Sequence, residues 1–321
     1  MLALLGAAGC VTTQPAGARV PIVSPRQPLA EGLFSTFRVL HSADDCRKLD
    51  LPGIDCTVNV WNFEGTTLEV DAPPGFEVIA QGMTRDYWFA VRCNDAPATG
   101  KAPLVVRVKD AHGSLRYEGR TEIACARATQ VELTELWAGD NGRPGFERKV
   151  DLSTAPANGI PVPVNATLRT KIQAREASGH ELFGWGRTLV SADDAFVLEH
   201  EERTPTEPNS VLSDPVLVSR ATGSAPVLQV GSAQLRVPVR AVADAEWKLG
   251  LRWSTDEHGT HVIAEGKLSD STLVQGLTDC AVTIYDAQGP QPTQTGDCIQ
   301  FWLVPNAKKV CVRTRGKEIC S

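Results

Sequence analysis

The sequence predicts an all-β protein of two or three small β-sandwich domains in tandem. Three observations support this: apolar and polar residues alternate in many short segments, turn-forming residues separate those segments, and helical periodicity is scarce. The chain has 321 residues, of which 22% are charged and 42% hydrophobic, a composition typical of a folded protein. At roughly 100–150 residues per domain, this length has room for two or three domains.

Alternation with a period of two is clearest in three segments. Apolar side chains occupy every second position in Leu104–Lys109, Leu235–Arg240 and Trp247–Trp253. Successive side chains of a strand point to opposite faces, so each segment predicts a strand with one buried face. Many short strands of this kind favour sandwiches of packed sheets.

The first part of the folded region resembles bacterial immunoglobulin-like domains. There GTTLEVDAPPGFEVIAQ leads through YWFAVRC to APLVVRVKDAHG and LRYEGRTEIACA, and the stretch VPVNATLRTKIQAREASGHELFGWGRTLVSADDAFVLEH, with GSAQLRVPVRAV after it, has the same cadence. The likeness covers about half of the chain and includes no diagnostic motif. It implies the fold alone, because one fold serves many functions.

The chain begins MLALLGAAGC, an apolar run that ends at a cysteine. Leu2–Ala8 is too short to cross a bilayer, which takes about 20 residues. Small residues directly before Cys10 resemble the lipobox of bacterial lipoproteins, in which a peptidase cuts before the cysteine and the cysteine carries lipid. Ala7 stands where that box usually has Leu, and the usual Lys/Arg region is missing. The alternative is that Cys10 lies in an ordinary apolar strand.

The lipoprotein resemblance implies a location and an anchor. Residues 1–9 would be the remnant of a signal peptide, and a palmitate-type lipid on Cys10 would hold the protein on a membrane surface without spanning it. Val11 after the cysteine implies the outer membrane, on its periplasmic or surface face. Residues 10–33 contain four prolines and predict a flexible, semi-extended tether.

The rest of the chain divides into three predicted units. Residues 34–128 form a β-sandwich stapled by disulfides, and residues 129–244 form an immunoglobulin-like sandwich without cysteine. Residues 245–321 form a small β domain that is again stapled by disulfides.

The nine cysteines are an odd number. Subtracting Cys10 leaves eight, which can form four disulfides in an oxidising compartment. These eight are Cys46, Cys56, Cys93, Cys125, Cys280, Cys298, Cys311 and Cys320. No Cys-x-x-Cys occurs, which disfavours a zinc site.

The last cysteine pair follows from a hairpin. If Arg315-Gly316 is a two-residue turn, Thr314 faces Lys317, Arg313 faces Glu318, Val312 faces Ile319 and Cys311 faces Cys320. This register gives an opposite-charge pair, an apolar pair and a cysteine pair. The cysteines then occupy a non-hydrogen-bonded position, where Cα atoms approach to about 4.5 Å.

The other three cysteine pairs are assigned by two criteria, closeness in sequence and the direction in which each side chain points. Cys280 and Cys298 flank one loop, and Cys46 and Cys56 flank another, which leaves Cys93 with Cys125. Alternation points both Cys93 and Cys125 inward. Cys56 also points inward, so Cys56–Cys93 remains an alternative.

Candidate sites for chemistry are weak. The common motifs of nucleophilic, zinc-dependent and nucleotide-dependent enzymes are absent from the sequence. His258 and His261, with Asp256 and Glu257, form a weak candidate metal site, although Asp-Glu-His-Gly is also good turn chemistry. Trp185 is a weak candidate for ligand binding, because its flanking glycines suggest an exposed loop.

These observations predict a lipid-anchored protein of the cell envelope with a non-catalytic binding or scaffolding role. We expect a protein or cell-surface partner, a membrane contact through lipid on Cys10, and no cofactor. The net charge is −6 without a basic stripe, so nucleic acid is not an expected partner. Two alternatives remain: an adhesin that binds carbohydrate or a surface through Trp185, and a metal-dependent hydrolase that uses His258 and His261.

Overall fold

The structure is a computed structural model of the chain. It describes residues 18–25, 27–41, 62–97, 100–140, 147–186, 188–190, 194–199, 215–257, 259–298, 302–304 and 307–321. The described residues form an all-β fold, as predicted. They divide into two compact units, one up to Ala126 and the other from Arg127 onward.

The described residues of the first unit form nine strands in two sheets. The strands are β1 (Ala18–Arg19), β2 (Ile22–Val23), β3 (Leu29–Ala30), β4 (Phe34–Val39), β5 (Thr67–Asp71), β6 (Phe76–Met83), β7 (Tyr87–Cys93), β8 (Lys101–Lys109) and β9 (Leu115–Ala126). One sheet has the order β1-β9-β8-β5 with β3 also on β9, and the other has the order β2-β4-β7-β6.

A single apolar core lies in the first unit. It includes Phe37 and Phe89, whose stacked rings have centroids 5.1 Å apart. Cys93 of one sheet and Cys125 of the other are both buried and form a disulfide. The predicted inward facing of both cysteines is confirmed, and the Cys56–Cys93 alternative is wrong. Cys46 and Cys56 lie outside the described residues.

The predicted tether of residues 10–33 is wrong in its second half. From Ala18 onward the chain belongs to the sandwich, where β1 and β3 pair in parallel with β9 and β2 pairs with β4. Val20, Ile22 and Leu29 are buried in the core. The prolines do not prevent this, because these strands are only two residues long and need few ladder hydrogen bonds. Cys10 and the preceding residues lie outside the described part.

The second unit begins with eleven strands. They are β10 (Gln130–Asp140), β11 (Arg148–Lys149), β12 (Ile160–Pro163), β13 (Ala166–Arg175), β14 (Glu181–Leu182), β15 (Thr188–Val190), β16 (Phe196–Leu198), β17 (Val216–Ser219), β18 (Val227–Val230), β19 (Ala233–Arg236) and β20 (Val239–Val242). A 3-10 helix spans Leu152–Thr154. The largest sheet has the order β11-β10-β13-β17-β16 with β14 on β13.

Nine further strands complete the second unit after a 3-10 helix at Asp244–Glu246. They are β21 (Trp247–Asp256), β22 (Gly259–Leu268), β23 (Leu273–Val274), β24 (Cys280–Asp286), β25 (Gly289–Pro290), β26 (Gln294–Gly296), β27 (Trp302–Leu303), β28 (Lys309–Thr314) and β29 (Lys317–Cys320). Strand β21 borders β22 in a four-stranded sheet, and β24, β25, β26, β28 and β29 form a five-stranded sheet.

Two apolar cores lie in the second unit. One is built from residues 136–241 and the other from residues 242–312. The sequence places a domain boundary between them, at 244/245. Within the second unit, however, the two regions belong to one compact body.

The last hairpin has the predicted register. Cys311 pairs with Cys320 and Thr314 with Lys317. Arg315 and Gly316 have φ values of 48° and 75°, as a type I′ turn requires. The Cys311–Cys320 disulfide is present with Cα atoms 4.0 Å apart, and Cys280 is bonded to Cys298.

Candidate functional site

The structure does not favour Trp185 as a binding residue. Gly184 and Gly186 have φ values of 121° and 96°, but Trp185 between them forms a β-bridge rather than part of an open loop. The Trp185 side chain is only partly exposed. Among the tryptophans whose burial is described, the one classed as exposed is Trp253, at 43%.

The predicted metal site is only partly described. His261 lies on β22 opposite Ser254, whereas His258 lies outside the described residues. Within the described ranges, the one grouping of three metal-ligand side chains is Cys311, Glu318 and Cys320. The two cysteines are bonded to each other in a disulfide, so neither offers a thiolate to a metal.

An aspartate–histidine pair in the first unit resembles part of a catalytic triad. Asp86 is buried and accepts hydrogen bonds from the backbone N–H of His41 (3.0 Å), from its Nδ1 (2.6 Å) and from Arg38. Burial raises the pKa of Asp86, but the hydrogen bonds from His41 and Arg38 lower it more, so that it lies below its usual value. Arg85 Nε donates to His41 Nε2 at 2.7 Å. Both ring nitrogens are therefore engaged, and the histidine is not placed to activate a nucleophile.

A shallow groove of about 470 Å³ lies beside β10 and β11. Its charged lining consists of Asp151, which caps the 3-10 helix at Leu152–Thr154, and of an ion pair in which Lys149 Nζ lies 2.9 Å from Glu135 Oε1. The hydrogen bond from Lys149 lowers the pKa of Glu135. A paired, exposed carboxylate of this kind is a surface salt bridge and not an acid–base catalyst.

The two cores of the second unit are joined by a polar cluster that we call the clasp: Asp140, Val164, Asp244, Thr278, Asp279 and Arg315. Asp140 Oδ2 accepts the backbone N–H groups of Thr278 (2.8 Å) and Asp279 (2.9 Å). Asp140 Oδ1 accepts from Arg315 Nη1 at 2.5 Å. The same guanidinium also donates to Asp244 and to the carbonyl of Val164.

Sequence reasoning missed the clasp. Asp140 looks like part of a turn signal, and Arg315 like an ordinary turn residue. The sequence did contain one signal, an arginine at an unusual position. The first central position of a type I′ turn needs positive φ and usually holds Asn, Asp or Gly, but here it holds Arg315. The structure explains the arginine: its side chain joins residues up to 175 positions apart in sequence.

The surface with the clearest capacity to bind is β21 with its exposed tryptophan. Trp247, Leu249, Leu251 and Trp253 share one face of this strand, as the alternation predicts. Trp247 is 1% exposed, and Leu249 and Leu251 are partly buried against the core built from residues 242–312. Trp253 is 43% exposed. The apolar row thus continues past the end of the core. The sequence could not show that the core stops before Trp253.

Strand β21 is an edge of its sheet. It pairs with β22 over ten consecutive residue pairs, from Trp247–Leu268 to Asp256–Gly259, without a register shift. Across the described ranges, no strand pairs with its other side. An edge of this kind presents backbone N–H and C=O groups outward, where another strand can pair with them.

The face of the β21–β22 hairpin opposite the apolar row carries a basic cluster, although Ile263 on the same face is buried. Lys248, Arg252 and Lys267 are exposed there, and Glu265 is the acidic residue between them. Arg252 Nε and Lys267 Nζ lie 2.9 Å and 3.0 Å from the Glu265 carboxylate. Burial raises the pKa of Glu265, but hydrogen bonds from Lys267 and Arg252 lower it more, and its pKa falls below its usual value. Over Lys248–Ser254 and the residues of β22 opposite them, three cations and one carboxylate leave an excess of two positive charges.

Comparisons with known proteins give little beyond this. No family model matches the sequence, and no curated protein matches it. Among solved structures, domains 4–9 of the surface layer protein SbsC have a TM-score of 0.26 and 11% identity, over 96% of this chain and 50% of that one. A titin fragment, I67–I69, has a TM-score of 0.21 and 6% identity, over 91% of this chain and 92% of that one. This chain therefore spans half the length of the surface layer fragment, and we base no argument on similarity at this level.

In the part of the chain that the structure describes, no helix has the length and apolar character needed to cross a bilayer.

Proposed function

We propose that this protein is an exported, lipid-anchored protein of the cell envelope whose role is to bind or scaffold a partner rather than to catalyse a reaction. The observation that carries the proposal is the use of cysteine. Six cysteines form three disulfides. Such bonds persist in oxidising compartments such as the periplasm and the cell surface. The pairing supports export, and the proposed lipid on Cys10 rests on the lipobox-like residues before it.

The binding role follows from what the described residues offer. Their most prominent buried charges, at Asp86 and Asp140, are fully engaged in internal hydrogen bonds. An exposed tryptophan beside an open sheet edge is instead a feature of interaction surfaces. A rigid, disulfide-stapled β scaffold holds such a surface at low cost in conformational entropy.

Metabolic labelling with a palmitate analogue tests the anchor. We expect the wild-type protein to be labelled and found in the membrane fraction, and the Cys10→Ala variant to be unlabelled and released. A Cys46→Ala variant is the matched control and should keep its label. A wild type that stays unlabelled, with its first nine residues intact by mass spectrometry, would refute the anchor.

A further inference from the structure

We propose that β21 binds an extended polypeptide segment of a partner as an added strand, with apolar side chains at alternate positions and acidic side chains between them. This inference rests on the proposed binding role and names the chemical class of the partner. Four observations carry it: the direction of the free backbone groups, the length of the edge, the exposed tryptophan and the charge beside it.

The register shows which backbone groups face outward. In the β21–β22 hairpin, Asp256 and Gly259 flank the two-residue turn and form a hydrogen-bonded pair. Counting back along the strand, Trp253, Leu251 and Leu249 then occupy non-hydrogen-bonded positions. Their N–H and C=O groups point away from β22, and within the described ranges no backbone partner meets them. They form a regular row for an incoming strand.

This edge is longer and more regular than the other outer strands that the described residues form. Strand β6, also an edge, is interrupted by a bulge between Val78 and Ala80, and bulges hinder the addition of a strand. Strands β5 and β29 are edges of five and four residues. Strand β21 has ten residues in continuous register. Near its start β21 lies close to β29, where Lys317 is 4.6 Å from the Trp247 ring centroid, so we assign strand addition to the part of the edge from Leu249 to Trp253.

The two faces of β21 define what the added strand must carry. Residues opposite Leu249, Leu251 and Trp253 extend the apolar face, where Trp253 supplies a large, partly uncovered ring. Residues opposite Lys248 and Arg252 meet the basic face. Cross-strand pairs of opposite charge are favourable and like charges are not. The partner segment should therefore alternate apolar residues with Asp or Glu.

The same charges disfavour a second copy of this chain in the register that centres on Gly250. Two antiparallel copies of β21 that pair around Gly250 would place Lys248 of each copy opposite Arg252 of the other. Those like charges would repel each other across the new ladder. A copy would also bring no acidic residue within Trp247–Ser254.

The test is calorimetric titration of the full chain with blocked ten-residue peptides. We expect a peptide of alternating Val and Glu to bind, and a peptide of alternating Val and Lys to bind at least tenfold more weakly. N-methylation of the Val-Glu peptide at alternate residues should abolish binding, because it removes the donors of the ladder. Amide hydrogen exchange should show protection of Leu249, Leu251 and Trp253 in the complex.

Variants identify the surface. Trp253→Ala should weaken binding of the Val-Glu peptide about tenfold or more, and Lys248→Glu with Arg252→Glu should reverse the preference toward the Val-Lys peptide. Met83→Ala is the matched control, since Met83 is 51% exposed in the first unit, and it should leave affinity unchanged. Circular dichroism verifies that each variant is folded.

Three results would overturn the inference: no heat at millimolar peptide, equal affinity of the N-methylated peptide, or protection of amides elsewhere. A concentration-dependent dimer with the same three amides protected would reassign the edge to a second copy. These outcomes are distinct from failure of the anchor. An unlabelled protein that binds the Val-Glu peptide would refute lipidation alone, and a labelled protein that binds no peptide would refute strand addition alone.

Discussion

The disulfides Cys93–Cys125 and Cys311–Cys320 stabilise this protein in different ways. The first joins two sheets through the buried core of the first unit and closes a separation of 32 residues. The second lies within one hairpin, has the exposed Cys320 as a partner and closes a separation of 9 residues. A longer closed loop removes more entropy from the unfolded chain. The comparison suggests that the first bond mainly stabilises a fold, whereas the second mainly positions Arg315.

The largest expected effect is loss of the disulfide between the sheets. Replacing both residues, Cys93→Ala with Cys125→Ala, should lower the stability of the first unit by about 4 kcal/mol, because a loop of this length is released. Native-state hydrogen exchange at Phe89, in the core of that unit, measures this loss. If the double variant lost less than the equivalent hairpin variant, loop length would not explain the comparison.

The next effect concerns the clasp. Asp140→Ala should destabilise the second unit by about 3 kcal/mol, because it leaves the mostly buried Arg315 guanidinium and two backbone N–H groups without their acceptor. Asp244→Ala is the control. The Asp244 side chain is 46% exposed, so its loss should cost about 0.5 kcal/mol. Urea unfolding of both variants gives the difference, and equal losses would contradict the role of Asp140 as the main acceptor of the clasp.

Removal of the hairpin disulfide should have a smaller effect. Cys311→Ala with Cys320→Ala should cost about 2–3 kcal/mol, as expected for a short loop. A double-mutant cycle with Arg315→Ala sharpens the comparison, since a bond that positions Arg315 must couple to it. We expect a coupling free energy above about 0.5 kcal/mol. If the stability losses of the disulfide variant and of Arg315→Ala simply add, the disulfide does not position Arg315.

The smallest effect is on pH dependence. The pKa of Asp86 is lowered in the folded protein, so its contribution is complete above its unfolded value of 3.8 and is lost as the pH falls through the folded pKa. Asp86→Asn should therefore flatten the loss of stability below about pH 4, as measured by acid titration of tryptophan fluorescence.

Glu69→Gln is the matched control for Asp86→Asn. The hydrogen bond from Lys109 lowers the pKa of Glu69, which lies on the surface. Added salt should weaken the pH dependence of stability that Glu69 contributes, and it should change the contribution of the more buried Asp86 much less. A salt response that is the same for both variants would contradict the assignment.

Local patterns in the sequence were sufficient for several features. The register of the last hairpin follows from counting outward from Arg315-Gly316, and it is confirmed. The inward facing of Cys93 and Cys125 follows from alternation along their strands. Alternation also placed Leu104–Lys109 and Trp247–Trp253 in strands, as observed. Each of these inferences depends on a few neighbouring residues and on the fixed geometry of an extended chain.

Other features required the assembled fold. Residues 18–33 look like a tether because prolines interrupt them, yet pairing with β9 and β4 draws them into the sandwich. Trp253 has the pattern of a core residue, and only the end of the neighbouring core leaves it exposed. Asp140 and Arg315 meet because β10 and the last hairpin come together from opposite ends of the second unit.

The sequence by itself determined the strands with uninterrupted alternation, such as Leu104–Lys109, the faces of their side chains and the last disulfide, because these depend on period-two geometry and turn chemistry within short segments. The tertiary structure decided which edge stayed open, which tryptophan stayed uncovered and which carboxylate accepted Arg315. Those outcomes depend on contacts between segments far apart in the chain, and a local pattern carries no information about which distant surface will cover it.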